Sequence, residues 1–116
     1  MKIYGANEYT INVSEDEYKN IMLGWQTLMP RFKDGLWSDI KRYDIINIIS
    51  KNGSSKIRIE EIYEYIDIES GMRDHNFMSI VPSALKFNYA YNYIVYCLRN
   101  CNNNNTFLIL KIKVVE

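Results

Sequence analysis

Apolar and polar residues change period several times along this chain, and each change marks an element. Residues 2–4 and 9–13 alternate β-branched or aromatic side chains with polar ones, which predicts two short strands. At Ser14 the period turns helical. Ser14 and Glu17 have the spacing of a capping box, each side chain serving the other's backbone N–H, and Glu15 and Asp16 suit the positive end of a helix. A helix is predicted over 15–23, with Tyr18, Ile21 and Met22 on one face and Gly24 as its C-terminal stop. Residues 25–32 read as extended, with Pro30 removing one ladder donor and so favouring an edge or a bulge.

Residues 33–40 form a predicted loop holding Gly35 and Trp37, and residues 43–50 are an apolar, β-branched strand. Asn52-Gly53 is a two-residue hairpin signal, and residues 56–65 continue as the partner strand, with Ile57, Ile59 and Ile62 among its apolar positions. Residues 67–75 fit a polar loop or a short helix equally. Beyond Pro82, Leu85, Tyr89, Tyr93 and Tyr96 stand at mixed helical spacings, which suggests a helix over 83–98. Asn102 to Asn105 make a turn, and residues 106–115 alternate as a last strand. The order predicts an α+β fold: a small, mostly antiparallel β-barrel with flanking helices, the closing sheet hiding its edges.

Length and charge narrow the class. With 116 residues the chain supplies one core, so a single domain over 1–116 is expected. Fourteen basic residues balance fourteen acidic ones, so no global field attracts a polyanion and any nucleic-acid affinity must be local. No apolar run reaches the roughly 18–20 residues of a membrane span, and no secretory pattern opens the chain, so a soluble, cytoplasmic protein is expected. Cys97 and Cys101 alone make neither a disulfide framework nor a metal site, and His75 has no second histidine beside it. No cofactor or metal is expected. The abundance of Asn, Ile, Tyr and Lys is that of an AT-rich genome, viral or parasitic in kind.

The stretch from Tyr18 to Asp44 resembles the ASCH family of PUA-like barrels. Members show a helix ending in glycine, a Gly-x-Lys-x-x-Glu-x-Arg run, a loop, and a Gly-Asp pair opening a strand. Here Gly24-Trp25-Gln26-Thr27-Leu28-Met29-Pro30-Arg31 stands in the first place and Tyr43-Asp44 in the second, so Gly24, Arg31 and Asp44 match. Tyr63 and Tyr65, Pro82, the tyrosine-rich helix and Leu108-Ile109-Leu110 extend the likeness to nearly the whole chain. The resemblance implies a PUA-like barrel with a ligand cleft between barrel and first helix. Members credited with amidohydrolase activity use the motif lysine with a threonine or glutamate three residues later. This chain has Gln26 and Met29 there, and neither an amide nor a thioether can shuttle protons at neutral pH, so that route lacks its groups.

Within the implied cleft, strand alternation places Trp25, Thr27, Met29 and Arg31 on one side, with Gln26 and Leu28 on the other. Arg31 suits an anion through its planar fork, or else a structural ion pair with Asp44. Trp25 offers a stacking face or core packing, and Gln26 a reader of base edges or a surface amide. Lys33, Lys41 and Arg42 interleave with Trp37, Tyr43, Tyr63 and Tyr65, a mixture that suits single-stranded RNA. Glu60, Glu61 and Glu64 read as a solvated rim. The expected function is an RNA-binding or modified-nucleotide-binding domain acting through Trp25, Gln26, Thr27, Arg31, Lys33, Trp37, Tyr43 and Tyr65. The alternatives are a nucleoside amidohydrolase or ribonuclease using Lys33, Tyr43 or Glu64, and a protein-interaction module.

Overall fold

The computed structural model describes residues 7–66, 70, 71, 74 and 106–115. The strand predicted over 2–4, the helix over 83–98, the Asn102 to Asn105 turn, and His75, Cys97 and Cys101 lie outside these residues.

Among the described residues the frame is β1 (Glu8–Asn12), α1 (Glu15–Met22), β2 (Leu28–Phe32), β3 (Ile45–Ser50), β4 (Gly53–Tyr65) and β5 (Phe107–Val114). A short 3-10 turn, Gly35–Ser38, lies in the loop between β2 and β3. The strands form one curled sheet, a half-barrel in the order β1-β3-β4-β5-β2, with β1 parallel to β3 and every other pair antiparallel. The last strand thus sits inside the sheet, between the long β4 and the early β2.

Period-two patterning explains which face is dry. Ile46 and Ile48 of β3, Ile57 and Ile59 of β4, and Leu108 and Leu110 of β5 point to one side and are at most 1% exposed. Ile21 of α1 and Met29 of β2 join them in a single core cluster. On the opposite face Phe107 and Ile109 are also buried, and Phe107 meets Phe32 edge-on with ring centroids 5.7 Å apart. A Cβ on Gly71 would stand 2.8 Å from the Phe107 ring and 3.0 Å from that of Tyr65, so glycine allows this close approach over the second face.

Three local expectations are corrected. The β3–β4 turn is Lys51-Asn52, since Ser50 pairs with Gly53, which is already the first residue of β4. Glycine is favoured there by its φ of 148°, and a Cβ would lie 2.9 Å from the Tyr18 hydroxyl, which would have to shift. Only half of the capping box forms. Ser14 Oγ accepts from the Glu17 N–H at 3.0 Å, but the Glu17 carboxylate turns away to Arg31 and Gln26. Met22 is 41% exposed, whereas Asn20 and Ile21 are the buried residues of the helix and Tyr18 packs at the edge of the core.

Candidate nucleic-acid interface

The segment after α1 is fixed at its backbone before any side chain is considered. Gly24 takes a φ of 77°, and the N–H groups of Trp25 and Gln26 both donate to the Asn20 carbonyl, at 2.9 and 3.0 Å. The resulting turn leaves Trp25 58% exposed, so it is no part of the core. Gln26 is buried, correcting the surface-amide alternative; its Nε2 donates to Glu17 Oε2 and to the Leu28 carbonyl, each at 3.1 Å.

Arg31 grips the same carboxylate with two nitrogens, at 2.6 Å to Oε1 and 3.1 Å to Oε2, and lies 5.5 Å from the centre of the Trp37 ring. Arg31 makes a structural ion pair, the alternative to an anion contact, and its partner is Glu17 of the helix where the sequence suggested Asp44. Burial pushes the Glu17 carboxyl up, but the charge of Arg31 and the hydrogen bonds from Arg31 and Gln26 outweigh this and hold it below the usual range. The expected facing is corrected as well. Residues 25–27 precede β2, so the pleat does not govern them, and it is Gln26 that joins Arg31 at Glu17, while Met29 is fully buried in the core.

A second set of residues builds an open groove on the sheet. β4 carries a bulge between Ile59 and Glu61: Ile59 pairs with Ile112 and Glu61 with Lys111, leaving Glu60 as the extra residue. In a regular strand Glu60 and Glu61 would face opposite sides; the bulge turns both into one groove of about 440 Å³, shared with Thr27, Arg42, Lys111, Ile112 and Lys113. The turn before β3 brings Arg42 to this groove. Asp44, fully buried, accepts the backbone N–H groups of Asn7 and Lys41, both at 2.8 Å, while the Tyr43 N–H and the Asp44 carbonyl bond to Ile59. Tyr43 is held at φ 74°, a region glycine takes most easily.

Arg42 then lies 4.7 Å over the Tyr43 ring, donates from Nε to the carbonyl of the bulged Glu60 at 2.9 Å, and meets Glu61 Oε1 at 3.3 Å. Glu60 is held instead by Arg58, at 2.8 Å. Lys111 and Lys113 are exposed and make no ion pair with the described residues.

The sequence-predicted residues therefore divide into three places. Thr27 and Tyr43 flank the groove, and Trp25 stands two residues before Thr27. Gln26, Arg31 and Trp37 gather around Glu17. Lys33 and Tyr65 lie at the far end of β4, where Lys33 pairs with Glu64 at 2.7 Å; there burial first, then the charge of Asp74 and a hydrogen bond to it, raises the phenol of Tyr65 above its ordinary pKa. Lys111 and Lys113 were missed as site residues. The signal for the bulge that gathers them was present: the inward isoleucines run 57, 59 and then 62, an extra residue in a period-two strand. A second hollow of about 340 Å³, across β1, β3 and β4, contains none of the predicted residues. No three His, Cys, Asp or Glu side chains converge as metal ligands among the described residues.

A curled, mostly antiparallel sheet with a helix packed against its core defines an α+β half-barrel. It is the fold of an ASCH domain: the chain superposes on the ASCH domain from Lactobacillus crispatus JV V101 with a TM-score of 0.55, at 10% identity, over 93% of this chain and 79% of that one. It is also similar to hypothetical protein PH0355 (TM-score 0.76, 15% identity, 93% and 99% of the two chains) and to protein PF0455 from Pyrococcus furiosus (0.72, 18%, 94% and 98%). No family model and no curated protein matches the chain in sequence.

Proposed function

We propose that this protein is a non-catalytic RNA-binding domain that receives a single strand along the groove of Thr27, Arg42, Lys111 and Lys113. The observation that carries the reading is that groove with its exposed neighbour: two lysines without an ion pair among the described residues, an arginine stacked on Tyr43, and a largely exposed Trp25 two residues from Thr27. Cations hold the backbone of an unstacked strand while flat rings receive its bases. Gln26 and Arg31 serve from inside: through Glu17 they fix the turn that presents Trp25. The ASCH fold supports the same reading, and the burial of Met29 speaks against the amidohydrolase route, whose second group would occupy that position.

The test is direct. Trp25→Ala should weaken binding of a labelled decauridylate about tenfold, the loss expected of one stacked base, and Lys111→Gln with Lys113→Gln should weaken it comparably. Binding that survives all three changes would remove the interface. A second reading, a protein-docking surface, draws on the exposed run of Met22, Leu23 and Trp25, at 41, 51 and 58%. A partner captured after nuclease treatment, and lost in Leu23→Asp, would favour it.

A further inference from the structure

The bulge delivers two carboxylates to a groove whose other charges are positive, and the two are not held alike. Glu60 is gripped by Arg58 through both Nε and a terminal nitrogen, at 3.2 and 2.8 Å. Glu61 makes one longer contact, 3.3 Å to the guanidinium of Arg42, and both of those side chains are about half exposed, 55% for Arg42 and 42% for Glu61. The rest of Arg42 is already placed. Its face lies on Tyr43 and its Nε is bonded to the Glu60 carbonyl, so the guanidinium is oriented before any ligand arrives.

An oriented arginine edge, flanked by two lysines and covered only by a loosely held carboxylate, has the chemistry of a phosphate site with a competitor in it. An exposed ion pair of this length contributes little to stability. A phosphate offers the same edge two oxygens and more charge. We infer that Glu61 is an internal competitor: it occupies the Arg42 edge that a backbone phosphate of the bound strand takes, and must swing aside for binding. Glu61 thereby sets the affinity of the groove and discriminates against weak anions that cannot displace it. The inference rests on the RNA reading for the identity of the ligand, but not for the exchange at Arg42.

Two measurements on the full chain test it. In anisotropy titrations with fluorescein-labelled decauridylate, Glu61→Gln should bind about fivefold more tightly than the parent, the effect of removing one exposed competing charge. Glu60→Gln, which removes the same charge from a carboxylate already held by Arg58, should change affinity less than about twofold. Equal tightening in both variants would reduce Glu61 to a general contribution to the local field and overturn the inference. Weaker binding by Glu61→Gln would make Glu61 a ligand contact and overturn it equally.

The second measurement follows the Arg42 Nε–H signal by NMR while inorganic pyrophosphate is added. It should shift, and saturate at a lower concentration in Glu61→Gln. If decauridylate fails to bind any variant while pyrophosphate behaves in this way, the RNA reading falls and the exchange at Arg42 stands. If the Arg42 signal ignores pyrophosphate in both proteins, the exchange falls, whatever RNA does.

Discussion

Asp44 shows what one side chain can hold in place. Its two oxygens accept the backbone N–H groups of Asn7 and Lys41 at 2.8 Å in a position with no exposure to solvent. Removing the carboxylate strands two donors in the interior, so Asp44→Ala should lower unfolding stability by about 3 kcal/mol, and Asp44→Asn, which keeps one acceptor, by about 1–2 kcal/mol. Urea denaturation measures both, and an unchanged midpoint in Asp44→Ala would mean that the turn stands without its anchor. Because that turn carries Arg42 and Tyr43, the same variant should also lose RNA affinity. The match of Asp44 to the family's Gly-Asp pair was legible in the sequence. The left-handed backbone of Tyr43 beside it was signalled only by the glycine that the family has in its place, since a tyrosine by itself does not mark positive φ.

At the level of elements, the contact between α1 and β2 is an electrostatic clamp. Glu17 was readable as a capping residue, and its spacing from Ser14 is right for that role. The carboxylate goes to Arg31 because a charged, two-point partner held by the strand outweighs one exposed backbone N–H. The clamp makes stability depend on pH. The folded-state pKa of Glu17 lies below the unfolded one, so its contribution is fully present above the unfolded value, about 4.3, and is lost as pH falls through the lower folded value. Against Glu17→Gln, the parent should be more stable by about 2 kcal/mol at pH 7, with the advantage shrinking below about pH 4. Thermal melts across that range decide it. A constant difference down to the most acid pH would show that the carboxylate's charge is not what matters.

For the molecule as a whole, a net charge of zero leaves only local electrostatics. With two or three cations meeting phosphates, log affinity for single-stranded RNA should fall with log salt at a slope of about −1.5 to −2. A slope near zero would leave Lys111 and Lys113 without a phosphate to neutralise. No helix among the described residues is long and apolar enough to cross a membrane. Strand and helix types, the end of α1 at Gly24, the α+β class and the ASCH likeness were legible in the sequence, because each depends on periodicity, a cap or a turn residue acting over a few positions. The exact position of the two-residue turn, the partner of Arg31 and the groove were not. Those depend on register: which residue of β5 lies across the Ile59–Glu61 bulge, and which residue of the helix reaches Arg31 of β2. A register is set by the packing of the whole core, where Ile57, Ile59, Leu110 and Ile112 must meet at once, and no short stretch of chain contains that information.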